Sequence, residues 1–159
     1  MAVASVSSNY AGRKKDISIL QYPNALLVGT QTVLPGFGKN TRFCAGAQKL
    51  VQRYAITLLT NISSQEKYPD FGTNLLYTLK AGISPMDQLK ASQIFELASY
   101  EVVTVMKIYQ TNHPEMPLDE RLARATLTSL TLIGGLAAFE VTLITEAGDS
   151  LEFIIPLPK

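Results

Sequence analysis

The chain has 159 residues, 47% of them hydrophobic and 17% charged, with a formal net charge of +1. That length buries one core without staples, as one domain or one domain plus an arm, and the near-neutral balance argues against a phosphate-backbone ligand, which needs clustered Lys and Arg. A charge fraction below the roughly 25% usual for soluble domains fits a surface partly covered by partners.

In chain order, Met1 to Asp16 is small, polar and basic, with no basic-then-apolar leader; it reads as an arm ordered on a partner, and its run Arg13-Lys14-Lys15 as a solvated stretch. Ile17-Ser18-Ile19 alternates, Ala25 to Leu34 is a candidate strand, and Pro35-Gly36-Phe37-Gly38-Lys39-Asn40 breaks it. The one cysteine, Cys44, excludes an intrachain disulfide and suits a reducing compartment. Residues 1–45 thus form an arm with the first strand or strands, and 46–159 the main domain.

Gly46 to Leu59 has helical spacing: Leu50, Val51, Tyr54, Ala55, Leu58 and Leu59 share a stripe, with Gln48, Lys49, Gln52 and Arg53 opposite. Thr60 to Ser64 ends it, a loop runs through Tyr68-Pro69-Asp70-Phe71-Gly72, and Leu75 to Lys80 is a short helical piece. Ser84-Pro85-Met86-Asp87 reads as a helix start, with Ser84 as cap, Pro85 at the first position and Asp87 in the first turn. The helix then runs to about Gln110, on a stripe of Leu89, Phe95, Ala98, Val102, Val105, Met106 and Tyr109. Its last two turns are apolar nearly all round, which points to a second buried side. Thr111 to Pro117 stops it.

The period then changes. Arg121 to Leu132 alternates, with Leu122, Leu127 or Thr128, Leu130 and Leu132 as core candidates, and Gly134-Gly135 punctuates. Leu136 to Thr145 and Leu151 to Leu157 flank a Gly- and Asp-containing loop, a hairpin signal. The uncharged stretch Ala125–Phe139 is too short to span a bilayer, which takes roughly 20 residues. The fold expected is α+β: a small antiparallel sheet, with a C-terminal β-hairpin, packed against two main helices. In the last strand Glu152 faces one way and Leu151, Phe153 and Ile155 the other. A terminal strand can offer an unpaired edge to another chain, although Pro156 and Pro158 can equally block it.

Catalytic signatures are sparse. Cys44 and the single histidine, His113, carry no nucleophile–base motif and cannot make a zinc site, so they read as a buried small residue and a loop residue. Pro35-Gly36-Phe37-Gly38 lacks the third glycine and the helix start of a phosphate loop. No catalytic residue, cofactor or metal site is expected.

The stretch Gly46 to Gly82 resembles the baseplate wedge, or sheath-initiator, proteins of contractile-tailed phages and related injection machines, the lysozyme-like baseplate wedge family. That family shows a helix ending in a leucine-rich turn, then a Pro-Asp-Phe-Gly element, here Pro69-Asp70-Phe71-Gly72, with Thr73, Leu75 and Leu76 after it. A second helix and an acidic-to-arginine element entering antiparallel strands follow. A Glu-Pro-Arg triplet is common there, whereas this chain has Asp119-Glu120-Arg121, without the proline. The resemblance extends to Pro156.

It implies a non-enzymatic structural subunit of the virion, in the tail baseplate assembled in the host cytoplasm, within a symmetric hetero-oligomer. The partners implied are other wedge subunits, the tail sheath protein and the tail tube, with no nucleic acid or membrane. The C-terminal strands would connect wedge and tube to the first sheath ring by strand addition, through Phe139, Val141, Leu143, Leu151, Phe153 and Ile155. Val102, Val105, Met106 and Tyr109 would pack on other wedge subunits. Within the chain, Phe71 is expected to plug the gap between helix and sheet, Asp70 to accept backbone N–H bonds, Gly72 to permit the turn, and Arg121 to pair with Asp70 or Glu120. The competing readings are a peptidoglycan-cleaving tail enzyme using Glu115, Asp119 or Glu120, and a cytosolic protein-binding adaptor of the same fold.

Overall fold

The computed structural model describes residues 12–21, 31–36, 42–82, 87–133 and 136–158. The start of the arm, residues 25–30 of the candidate strand, the end of the Pro-Gly break, Ser84-Pro85-Met86 and Gly134-Gly135 lie outside the described residues.

Two-residue strands β1 (Asp16–Ile17), β2 (Leu20–Gln21), β3 (Gln31–Thr32), β4 (Leu34–Pro35) and β5 (Phe43–Cys44) lead into helices α1 (Ala47–Leu59), α2 (Leu75–Gly82) and α3 (Gln88–Asn112). A 3-10 turn (Leu118–Glu120) follows, then the long strands β6 (Leu122–Ile133), β7 (Leu136–Thr145) and β8 (Ser150–Pro158). The fold is α+β, with α1 and α3 against a sheet built on a C-terminal antiparallel meander. Strand order in the main sheet is β3-β8-β7-β6, and β1 with β5 and β2 with β4 form small antiparallel pairs.

The 46–59 stripe forms α1 as its spacing predicts: Leu50, Val51, Tyr54, Ala55 and Leu58 are buried. Gln52, expected on the outer face, is buried as well. Its amide donates to the Ile17 carbonyl at 3.0 Å and accepts the Ile19 N–H at 2.8 Å, tying the N-terminal segment to the helix. Arg13 adds an ion pair to Asp119 at 2.6 Å, and Leu20 and Val33 enter the core. The described part of the arm therefore packs on its own domain.

The α3 start differs from expectation. Asp87 is its N-cap, its carboxylate accepting the Lys90 N–H at 2.9 Å. Phe95, Ala98, Val102 and Met106 lie buried as their spacing predicts, but Leu89 stands exposed. Phe95 stacks on Phe139 of β7, with ring centroids 4.5 Å apart, and Tyr54 of α1 meets Phe153 of β8 edge-on at 6.2 Å. These contacts fix both helices on one sheet face. Burying each such ring contributes roughly 1.5–3 kcal/mol.

That sheet face carries Ala137, Phe139, Val141 and Leu143 from β7 opposite Leu157, Ile155, Phe153 and Leu151 from β8. On β6 it carries Ala125, Leu127, Leu130 and Leu132. A register shift between Leu127 and Ser129 resolves the choice between Leu127 and Thr128. The extra residue, Thr128, points away and shares a hydroxyl bond with Thr142 at 2.8 Å, so the inward phase passes from Leu127 to Leu130. The β7–β8 hairpin closes tightly: Gly148 has φ +91°, and the Thr145 hydroxyl accepts the Asp149 N–H at 2.9 Å.

Candidate functional site

The two rims of the main sheet differ. β8, which as the terminal strand could have been either a free or a covered edge, is interior: β7 pairs with it along its length, and on its other side β3 runs parallel, Gln31 opposite Phe153 and Thr32 opposite Ile154. The Val33 N–H donates to the Ile154 carbonyl at 2.8 Å and extends that cover. At the opposite rim β6 pairs, among the described residues, with β7 alone.

Helix α3 lies beside this open edge and closes it at two places. Gln110 presents its amide to Leu122: the Leu122 N–H donates to Oε1 at 2.8 Å, and Nε2 donates to the Leu122 carbonyl at 3.2 Å. The amide thus substitutes for a neighbouring strand residue. At the other end Gln88 Nε2 donates to the Leu130 carbonyl at 2.6 Å. Between these clamps a groove of about 330 Å³ opens, walled by Tyr100 and Val103 of α3 and by Arg124, Ala125, Thr126 and Leu127 of β6. Tyr100 is 72% exposed.

The hairpin side chains expected to meet partners lie in the chain's own interior: Phe139, Val141, Leu143, Phe153 and Ile155 are buried, and Leu151 nearly so. A partner arriving at this sheet meets backbone and the outer rim instead. On α3, Val102 and Met106 are core residues and Val105 is half-buried. Tyr109 is partly exposed but engaged within the chain, stacked on His113 at 4.0 Å with the Arg53 guanidinium 4.8 Å from its ring centre. The outward residues that sequence reasoning missed are Leu97 and Tyr100, whose three-residue step, out of phase with the core stripe, was the available signal; Ile108, within the apolar last two turns, is exposed as well.

The Pro69-Asp70-Phe71-Gly72 loop packs on α3. Phe71 is half-buried beside Val105 and Ile108, with Tyr68 and Lys67, rather than between helix and sheet. Asp70 is exposed and, among the described residues, accepts no backbone N–H; the loop is held by main-chain bonds from Ser63 to Pro69 and from Phe71 to Tyr68. Gly72 does permit the turn, with φ +111° and a close approach to the Thr60 carbonyl.

Asp119, Glu120 and Arg121 send their charges three ways. Asp119 takes Arg13. Glu120 is buried, accepts the Gly46 N–H at 3.2 Å and faces Lys49 at 3.4 Å. Arg121 pairs with neither Asp70 nor Glu120: it donates to the carbonyls of Met116 and Pro114 and lies 3.6 Å from Glu146. The triplet joins arm, α1, the 113–117 loop and the β7–β8 turn. Two of the carboxylates considered for hydrolysis, Asp119 and Glu120, are thereby committed to internal ion pairs, and Glu115 is exposed. Cys44 is buried, and that burial, with the Asp16 carboxylate adding to it, pushes its thiol pKa up. His113 caps the C-terminus of α3, its Nδ1 2.9 Å from the Tyr109 carbonyl. Among the described residues no cluster of His, Cys, Asp and Glu could hold a metal ion, and no helix is long and apolar enough to cross a membrane.

Comparison of the chain with protein-family models, curated proteins and solved structures returned no match.

Proposed function

We propose that the protein is a structural subunit of a contractile-tail baseplate, acting without making or breaking a covalent bond, and that it gives the first sheath ring a strand edge to extend. The observation that carries this is the one-sided pairing of β6 at the rim of the main sheet. Unpaired N–H and C=O groups along such an edge accept another chain's strand, each bond contributing a net ~0.5–1.5 kcal/mol. The resemblance of 46–156 to sheath-initiator proteins supplies the partner class.

The edge lies on β6 rather than on the C-terminal strand. β8 serves as the interior strand that keeps the sheet rigid while force passes through it. The exposed α3 positions Leu97 and Ile108, with Tyr68 of the adjoining loop, offer apolar contacts to wedge neighbours.

Co-assembly with the sheath subunit tests the reading. Tyr100→Asp and Val103→Asp put charge in the groove beside the edge and should stop the seeding of sheath polymerisation; Tyr100→Asp does so at an exposed side chain with the fold intact, whereas Val103 also packs against the core. Normal seeding by both variants refutes sheath initiation at this edge.

A further inference from the structure

We infer that the β6 edge between its two glutamine clamps is a receptor for one short extended segment of defined chemistry, an inference that rests on the strand-addition reading above. The segment has side chains apolar toward α3 and hydroxyl-bearing or acidic toward the outer face, with a carboxylate opposite Arg124.

Length follows from the clamps. Gln110 occupies the backbone groups of Leu122, and Gln88 occupies the Leu130 carbonyl. The edge left between them is 123–129, about 23 Å at roughly 3.3 Å per residue, with register shifts at Ala123 and Thr128 that leave Arg124 to Leu127 as its regular stretch. A segment of about seven residues fits without displacing either glutamine. A longer one must break bonds that α3 already makes.

Side-chain chemistry follows from the two faces of β6. Ala125 and Leu127 turn toward the helices, next to Tyr100 and Val103 in the groove. Side chains of an added strand on that face would sit over an apolar floor, and Glu96 at the groove margin disfavours a carboxylate there. Arg124, Thr126 and Thr128 turn outward and are exposed. No ion pair forms at Arg124 among the described residues, so a carboxylate on the incoming strand would supply the opposite charge across the ladder. Threonines opposite Thr126 and Thr128 would continue the hydroxyl pairing that Thr128 makes with Thr142.

The test uses the full chain and fluorescein-labelled heptapeptides with valine at alternate positions and, between them in order, threonine, threonine and glutamate, which in an antiparallel pairing face Thr128, Thr126 and Arg124. A second peptide carries lysine for the glutamate. Binding is read by anisotropy, and the bound edge by amide hydrogen exchange. The glutamate peptide should bind and slow exchange across 123–129, and the lysine peptide should bind about fivefold more weakly. Arg124→Glu should reverse that preference, and Tyr100→Asp should abolish binding of both. A twelve-residue version should gain affinity over the heptapeptide only in Gln110→Ala. Equal affinity for both heptapeptides, or protection confined to β8, overturns the inference. If wild-type protein seeds sheath in a way that Tyr100→Asp and Val103→Asp abolish, yet neither peptide protects 123–129, this inference falls and the sheath-initiation reading stands. If the peptide preferences appear but the protein never seeds sheath, the baseplate reading falls and the receptor stands.

Discussion

The carboxylate of Glu120 accepts the N–H of Gly46 at 3.2 Å, joining the entrance of β6 to the first turn of α1 across 74 positions of sequence. Gly46 has no side chain to cap its helix, so a distant glutamate satisfies one of the orphan donors and places negative charge at the positive end of the helix dipole. Its other oxygen faces Lys49 at 3.4 Å, and both side chains are withdrawn from water. Glu120→Ala leaves a buried ammonium and a buried N–H without this partner and should cost about 3 kcal/mol in urea unfolding. Glu120→Gln keeps an acceptor for Gly46 and should cost less. Equal losses would assign the stabilisation to the Lys49 charge alone.

The Pro-Asp-Phe-Gly loop makes a sharper demand at Gly72. Its φ is +111°, and a Cβ there would lie 2.4 Å from the Thr60 carbonyl oxygen, a backbone atom with little freedom to withdraw. Gly72→Ala should therefore destabilise by about 2–3 kcal/mol, combining backbone strain with a steric clash. Hydrogen exchange should show the loss first at Thr73, whose N–H donates to that same carbonyl at 2.8 Å. A variant as stable as wild type would mean that the loop shifts without cost.

Much of this architecture is legible in the residues. The helical stripe of 46–59 and the alternation of the last forty residues report burial directly, because one period belongs to a helix face and the other to a sheet face. Strand order is not legible. Alternation in 151–157 reads the same in an interior strand as in an edge strand, and only the parallel pairing of β3 with Phe153 and Ile154 makes β8 interior. Gln52 and Gln110 were missed for a related reason. A glutamine is polar by composition, and its use as a buried substitute for a strand residue depends on which backbone lies beside it. The charged triplet before β6 was visible, but the three directions taken by Asp119, Glu120 and Arg121 come from tertiary placement alone.

Tyr54 predicts a pH dependence. Its hydroxyl lies 2.7 Å from the Ser99 hydroxyl inside the core. Burial pushes its pKa up to about 12, and the Ser99 bond only partly offsets this. The folded state therefore keeps a proton that the unfolded chain releases near the ordinary tyrosine value of about 10. This contribution is fully present below pH 10 and is lost as pH rises toward 12, a difference on the order of 2 kcal/mol. Lysines and other tyrosines titrate in the same range, so the measurement is wild type minus Tyr54→Phe. The difference in unfolding free energy should be flat from pH 7 to 9 and then shift against wild type up to pH 12. A difference that stays flat to pH 12 would show the hydroxyl ionising freely in the fold.

Removal of residues 151–159 separates the two places a partner strand could be recruited. Were β8 a projecting edge, its loss would leave a folded domain with a single missing contact. Leu151, Phe153, Ile155 and Leu157 instead lie in the main core, and β7 pairs with β8 from Leu136 to Ile144. Losing one buried phenylalanine already costs about 3–5 kcal/mol, and a domain of this size has about 5–15 kcal/mol in total. The truncated chain should therefore fail to fold cooperatively, seen as loss of the sigmoidal urea transition by circular dichroism. Tyr100→Asp at the β6 groove changes an exposed side chain and should keep that transition within about 0.5 kcal/mol of wild type. A truncated protein that still unfolds cooperatively would return β8 to the role of a dispensable edge.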